Sequence, residues 1–175
     1  MMTFRFAKCA VAVGAIGLAA VLPSSAQAAS TTATATATVA TAIGIAKTVD
    51  MSFGTIAATA SAGSVILGTD GSRSCTDVDC LSGSPGAAAS FDVTGEGANT
   101  YSITLPTVAV PLIGPGSPAT DMDATAFVSN PASPGTLTAG AQTLLVGATL
   151  AVAIAATQTP GTYTSAGFTV TVAYN

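Results

Sequence analysis

Apolar and polar residues alternate along much of the chain, most clearly near its C-terminal end. Between residues 144 and 154 every second position is Leu, Val, Ala or Ile. A period of two predicts a strand with one buried face. The final residues repeat the pattern, and the apolar set there is Phe168, Val170, Val172 and Tyr174. A Gln-Thr-Pro-Gly stretch at residues 158–161 predicts the turn between these two strands.

Shorter segments of the same kind predict further strands, separated by stretches rich in Gly, Pro, Asn and Asp. We place them at residues 49–54, 64–67, 88–94, 100–105, 107–112 and 124–128. No segment after residue 28 has a convincing helical pattern. Many short strands with turns between them predict an all-β fold, an antiparallel immunoglobulin-like β-sandwich formed by residues 47–175.

The first 28 residues have the features of a secretory signal peptide. Arg5 and Lys8 precede an apolar run at residues 10–22, and Ala26-Gln27-Ala28 is a small-x-small cleavage site. The run is short for a membrane-spanning helix, and no later segment of the chain is long and apolar enough to be one. We therefore expect an exported protein in the periplasm, at the cell surface or outside the cell.

Residues 29–46 form a long alternating segment unlike the rest of the chain. Thr and Ala alternate from Thr32, and the segment predicts a strand from there to Ala46, longer than the usual five or six residues. The segment is either an ordinary first strand of its own domain or an N-terminal arm that adds a strand to a neighbouring subunit. Its inward face would carry Ala33, Ala35, Ala37, Val39, Ile43 and Ile45.

Composition narrows the possible functions. The chain has 4 Lys and Arg against 8 Asp and Glu, no His and no Trp, and only 7% of its residues are charged. Such a chain has no basic surface to neutralise phosphates, so nucleic acid is not an expected partner. It also lacks the commonest general base and metal ligand, and no constellation of nucleophile and base is visible. We therefore predict neither an enzyme nor a cofactor.

Two cysteines remain after the signal peptide is removed. Cys9 lies inside the signal, whereas Cys75 and Cys80 are close together in a chain expected to reach an oxidising compartment. They predict a small disulfide-closed loop. Two Cys without His cannot complete a zinc site.

The carboxylates are the remaining side chains that could bind a metal ion. Asp77 and Asp79, and likewise Asp121 and Asp123, are spaced two apart. Loop carboxylates can share a calcium ion, although neither pair matches a known calcium loop. We favour solvated loop acids, with calcium as the alternative and no metal predicted.

Several ordered motifs resemble a bacterial secreted family catalogued as domain of unknown function four-four-zero-two. They are TVDMSFGTI at residues 48–56, FDVTG at 91–95, YSITLP at 101–106, VGATL at 146–150, PGTY at 160–163 and VTVAYN at 170–175. The resemblance covers nearly the whole chain after the signal. It implies an exported β-sandwich protein and assigns no activity.

The chain also resembles, more loosely, subunits of chaperone–usher pili and spore-coat-protein-U-like pilins. In such subunits an N-terminal donor arm completes the fold of the next subunit, and the last strand often ends in alternating apolar residues with a penultimate Tyr. This resemblance implies assembly through the inward residues of the arm and through Phe168, Val170, Val172 and Tyr174. It implies self-association or other pilus and envelope subunits as partners, together with a periplasmic chaperone.

The sequence therefore predicts an exported structural or surface protein, a pilin-like subunit that assembles by strand addition. The alternative is a monomeric binding module without catalytic activity, which would use loops at residues 111–130 and the Cys75–Cys80 loop. Mature protein that forms boiling-sensitive ladders or filaments would favour the first function, and a compact monomer the second.

Overall fold

The computed structural model describes residues 27–116 and 121–175. The chain divides into two compact units, Met1–Ala37 and Thr38–Asn175. In the first unit, the described residues 27–37 are exposed and have no regular secondary structure. The predicted signal peptide lies outside the described residues, apart from its last two. Among the described residues, no helix is long and apolar enough to cross a membrane.

The second unit contains all the strands that the structure describes, and all of their pairings are antiparallel. The all-β prediction is confirmed, and the immunoglobulin-like topology stays a prediction. The strands are β1 (Gly44–Val49), β2 (Ile56–Ala58), β3 (Gly63–Leu67), β4 (Arg73–Thr76), β5 (Val78–Cys80), β6 (Ala89–Thr94), β7 (Thr100–Thr104), β8 (Val110–Ile113), β9 (Met122–Asn130), β10 (Gly135–Thr136), β11 (Ala141–Val152), β12 (Thr164–Ser165) and β13 (Thr171–Tyr174).

The largest sheet is organised around β11, its longest strand. The sheet has the order β1-β6-β11-β9-β8-β12, and β3 pairs with both β11 and β4. The first half of β11 pairs with β6 and the second half with β3, while β9 lies on its other side. Gly147 stands where β3 ends, and a Cβ atom there would lie 2.2 Å from the carbonyl oxygen of Leu67. The missing side chain lets two strands share one edge of β11.

Two smaller sheets complete the structure, one with the order β10-β7-β13 and one made of β2 and β5. Each contributes to a separate buried cluster. Tyr101 and Ile103 of β7 pack with Phe91, Val93, Leu144 and Val146 of the large sheet. Val78 of β5 and Phe53 pack with Val65, Leu67, Met122 and Leu150. The alternating residues of β11 belong to both clusters, so its buried face runs the length of the core.

Several strand predictions need correction. Residues 27–43 form no strand, so the strand expected over residues 32–46 exists only from Gly44 onward. The strand predicted at residues 49–54 is wrong, because β1 ends at Val49 and Ser52 makes only an isolated bridge to Ala87. The last strand starts at Thr171, so Phe168 and Val170 precede it. Strands β2, β4, β5, β10 and β12 were not predicted, since they have two to four residues and are too short for a visible period.

Candidate functional site

The second unit contains an open apolar groove of about 1150 Å³. We call it the apolar groove and define it by three parts. Its floor is the inner face of the large sheet, its first wall is residues 51–58, and its second wall is residues 158–168. The floor residues are Ala89, Phe91, Val110, Leu112, Met122, Ala124, Phe127, Leu150 and Val152.

The floor is apolar because alternate residues of β6, β8, β9 and β11 point to the same side of the sheet. A register irregularity in β9, where Ala126 has a φ of 48°, places Phe127 on that side after Met122 and Ala124. Met122, Ala124, Leu150 and Val152 are buried, and Val110, Leu112 and Phe127 are half-buried. The groove contacts both buried clusters, with Phe91 from one and Met122 from the other.

The first wall is held by backbone bonds and by one arginine. Ser52 and Ala87 exchange two backbone hydrogen bonds, both of 2.8 Å. The guanidinium of Arg73 donates to the carbonyl oxygens of Phe53 at 2.9 Å, Thr55 at 3.2 Å and Leu81 at 2.8 Å. This forked group joins the segment at residues 53–55 to Leu81, and it satisfies carbonyl oxygens that would otherwise depend on water.

The Cys75–Cys80 disulfide supports the same wall, and its prediction is confirmed. Cys75 lies in β4 and Cys80 in β5, which meet at a tight turn where Asp77 has a φ of 55°. Cys80 pairs with Ile56 of β2. The disulfide therefore ties β5, and through it the β2 segment of the wall, to the large sheet.

The second wall is built on aromatic packing. Phe168 lies with its ring centroid 5.0 Å from that of Phe127 and 6.4 Å from that of Phe91. The Tyr163 hydroxyl donates to the carbonyl oxygen of Thr159 at 2.6 Å, and its ring covers Gly114, where a Cβ atom would clash. Phe168 was predicted from the alternating C-terminal pattern, but Tyr163 and the first wall were not.

The edges of both walls are open. Among the described residues β2 pairs on one side with β5, and β12, the strand of the second wall, pairs on one side with β8, so each has one edge without a strand partner. An extended segment placed in the groove could therefore use backbone groups of either wall. The ionic residues lining the groove are Lys47 and Asp50, which form an exposed ion pair at one end.

The predicted C-terminal residues share one face as expected. Phe168, Val170, Val172 and Tyr174 are all half-buried and pack against the cluster around Tyr101, while the intervening residues are exposed. Val172 lies opposite Ile103 and Tyr174 opposite Tyr101. Their side chains therefore form core of this chain, and only the edge of β13 is open to another strand.

The predicted arm residues divide into two groups. Ile43 and Ile45 are half-buried and pack against the core of their own chain, and Ile45 pairs with Val93. Residues 29–42, which we call the exposed segment, are all exposed and outside any strand, and Val39 is 96% exposed. The exposed segment contains the inward residues Ala33, Ala35, Ala37 and Val39 and no charged residue.

The paired carboxylates lie apart from the groove. Asp77, between β4 and β5, and Asp79, in β5, are exposed, and Asp121 accepts a hydrogen bond from the Gly114 amide at 3.3 Å. Asp123 is exposed in β9. Over residues 27–116 and 121–175 no group of three or more His, Cys, Asp or Glu side chains is placed to hold a metal ion.

These features define an all-β protein in which two small sheets cover one face of a larger antiparallel sheet and leave an apolar groove open. The family model described as Domain of unknown function (DUF4402) matches residues 43–174, and the chain belongs to this family. The match begins at Ile43, where the packed core also begins. No curated protein and no solved structure matches the chain.

Proposed function

We propose that the chain is an exported structural subunit that self-associates by strand addition, with the apolar groove as the acceptor site. The observation that carries the proposal is the open groove over the core of the large sheet. An open groove that runs between two strands with free edges suits an extended chain segment.

The exposed segment of a second copy is the occupant we propose. It alternates strictly from Thr32 to Val39, which would place Ala33, Ala35, Ala37 and Val39 on the floor and Thr on the solvent side. It has no charge to desolvate, and no described strand pairs with it. Strand addition supplies backbone hydrogen bonds, while the alternate side chains fill the groove.

Signal cleavage after Ala28 would leave the exposed segment at the start of the mature chain. The disulfide fits an oxidising compartment outside the cytoplasm. An exposed apolar groove also calls for protection before assembly, which makes a periplasmic chaperone a natural partner. We propose no enzymatic activity.

The test uses the alternation of the exposed segment, in which neighbouring residues would face opposite sides of an inserted strand. In residues 29–175, Ala35→Asp with Ala37→Asp places two charges on the floor, and Thr34→Asp with Thr36→Asp places the same two charges toward solvent. Because burying an unpaired carboxylate is costly, the first pair should abolish assembly and the second should leave it largely intact. Unboiled gels, light scattering and electron microscopy provide the measurement.

Deletion of residues 29–40 should also abolish assembly and leave a folded monomer. A wild-type chain that stays monomeric at every concentration would overturn the proposal and favour the monomeric binding module. Equal loss of assembly with both Asp pairs would show that the segment acts without inserting as a strand.

A further inference from the structure

Thr41, the residue at which the exposed segment meets the domain, is held by two residues distant in sequence. The Glu96 carboxylate accepts from the Thr41 amide at 3.1 Å and from its hydroxyl at 2.7 Å. The Tyr174 hydroxyl donates to the Thr41 carbonyl oxygen at 2.9 Å and accepts from the Glu96 amide at 2.6 Å. All three polar groups of Thr41 are therefore bonded, although the residue is exposed.

The strand register brings these residues together. Gly44 lies opposite Thr94, so Thr41 lies beyond the start of β1, beside the turn that follows β6. Tyr174 lies opposite Tyr101 near the start of β7, on the other side of the same turn. Gly95 makes room between them, since a Cβ atom there would lie 2.3 Å from the Tyr174 hydroxyl oxygen.

We propose that Thr41, Glu96 and Tyr174 form a clamp that positions the exposed segment for another copy and disfavours its insertion into the groove of its own chain. This inference rests on the proposed function. The clamp lies before the first residue of β1, whereas the groove begins at Lys47 and Asp50, at the far end of that strand. Residues 41–47 span about 20 Å when extended.

The length of the exposed segment favours insertion into the groove of a second copy over insertion into the groove of its own chain. Fully extended, residues 29–40 span about 40 Å at most. If the segment turned back along β1, about half of that length would be used before it reached the groove. Only about half of it could then pair. A second copy can accept the whole segment, because its groove can approach from any direction. The exposed segment, which is the donor, and the apolar groove, which is the acceptor, lie at opposite ends of β1. Copies therefore contact one another head to tail, and such contacts lead to open chains of copies.

The clamp itself is tested by amide hydrogen exchange at Thr41, measured in chains that also carry Ala35→Asp and Ala37→Asp to keep them monomeric. Tyr174→Phe, Glu96→Ala and Gly95→Ala should each speed exchange of the Thr41 amide by about fivefold, because each removes or displaces clamp hydrogen bonds. Asp92→Ala removes a carboxylate of β6 outside the clamp, and Ser102→Ala removes a hydroxyl that bonds to β13 at 3.1 Å. Both controls should leave Thr41 unchanged. Unaltered exchange in the clamp variants would overturn the proposal.

The positioning role is tested in chains with the wild-type exposed segment. Tyr174→Phe and Glu96→Ala should shorten the assembled chains about two- to threefold, while Asp92→Ala and Ser102→Ala should not.

A small fraction of copies lacking residues 29–40 should cap wild-type chains and shorten them, as expected of head-to-tail contacts. Clamp variants with faster Thr41 exchange but unchanged chain length would overturn the positioning role, and closed wild-type dimers would overturn the head-to-tail arrangement. A monomeric wild type would instead contradict the proposed function, while the exchange data would still decide whether the clamp exists.

Discussion

At the scale of single residues, Glu96 shows how an exposed carboxylate acquires a specific role. The hydroxyl and then the amide of Thr41 lower the pKa of Glu96 below its ordinary value, because both hydrogen bonds favour the charged form. Asp70 has a similar environment, since the hydroxyl and amide of Ser72 lower its pKa. The two carboxylates therefore report on two separate sites in one titration.

We predict that acid releases Thr41. The pKa of Glu96 is lower in the folded chain than in the unfolded chain. The stabilisation from its hydrogen bonds to Thr41 is therefore fully present above the unfolded-state pKa, and it is lost as the pH falls through the folded-state pKa. NMR titration of the Thr41 amide should therefore show a transition below the ordinary pKa of a glutamate. Glu96→Gln should remove that transition and leave the Ser72 transition, which follows Asp70. A Thr41 shift that persists in Glu96→Gln would contradict the assignment.

The alternating C-terminal residues show what local pattern can and cannot establish. Phe168, Val170, Val172 and Tyr174 share a face because side chains in extended backbone alternate. That property is local, so the sequence predicts it. The contact of the Tyr174 hydroxyl with Thr41 spans 133 positions, and nothing near either residue indicates it.

At the scale of elements, the disulfide between β4 and β5 connects the large sheet to the first wall of the groove. The disulfide closes a loop of sequence separation 5, and a loop that short contributes only about 2 kcal/mol in the chain-entropy model. Its effect should therefore be concentrated in the neighbouring strands. β5 pairs with β2, which belongs to the first wall.

We predict that Cys75→Ser with Cys80→Ser loosens the first wall more than the rest of the core. Hydrogen exchange should rise in residues 56–58 and 78–80 and change little in β6 and β11, and assembly should weaken. Reduction of the wild-type disulfide should reproduce the pattern, and the double variant should not respond to reductant. A uniform rise across all strands would contradict a local role for the disulfide.

The N-terminal segment shows why periodicity alone does not make a strand. Residues 32–39 alternate as strictly as residues 144–154, yet only the second set forms a strand, which ends at Val152. The inward face of the first set is mostly Ala, and burying so little apolar surface contributes little free energy. From Ile43 onward larger side chains can be buried, and β1 begins at the next residue, Gly44.

At the scale of the whole molecule, the groove depends on which elements remain unpaired. Its floor comes from β6, β8, β9 and β11, and its walls come from segments about 100 residues apart in sequence. The walls persist because Arg73 and the disulfide hold one and the packing of Phe168 and Tyr163 holds the other. An open groove in an otherwise packed all-β domain leaves apolar surface that a further strand would cover.

We predict that a peptide of residues 29–42 stabilises the chain that lacks residues 29–40. A ligand that binds only the folded state raises the free energy of unfolding by about 2.7 kcal/mol at 100 times its Kd. The midpoint of thermal unfolding should therefore rise with peptide concentration. A peptide with Asp at positions 35 and 37 should have little effect, and one with Asp at positions 34 and 36 should act like the wild type. Equal shifts with both Asp peptides, or no shift at any concentration, would contradict insertion as a strand.

The sequence by itself determines the features that depend on near neighbours along the chain. They include the all-β class, the buried face of β11, the shared face of the last residues, and the Cys75–Cys80 pair, since periods of two and short loops are local properties. Only the tertiary structure decides where β1 begins, which edges stay open and how Thr41 meets Glu96 and Tyr174. Those features depend on strand register and on which distant segments pair with one another. The apolar groove results from both.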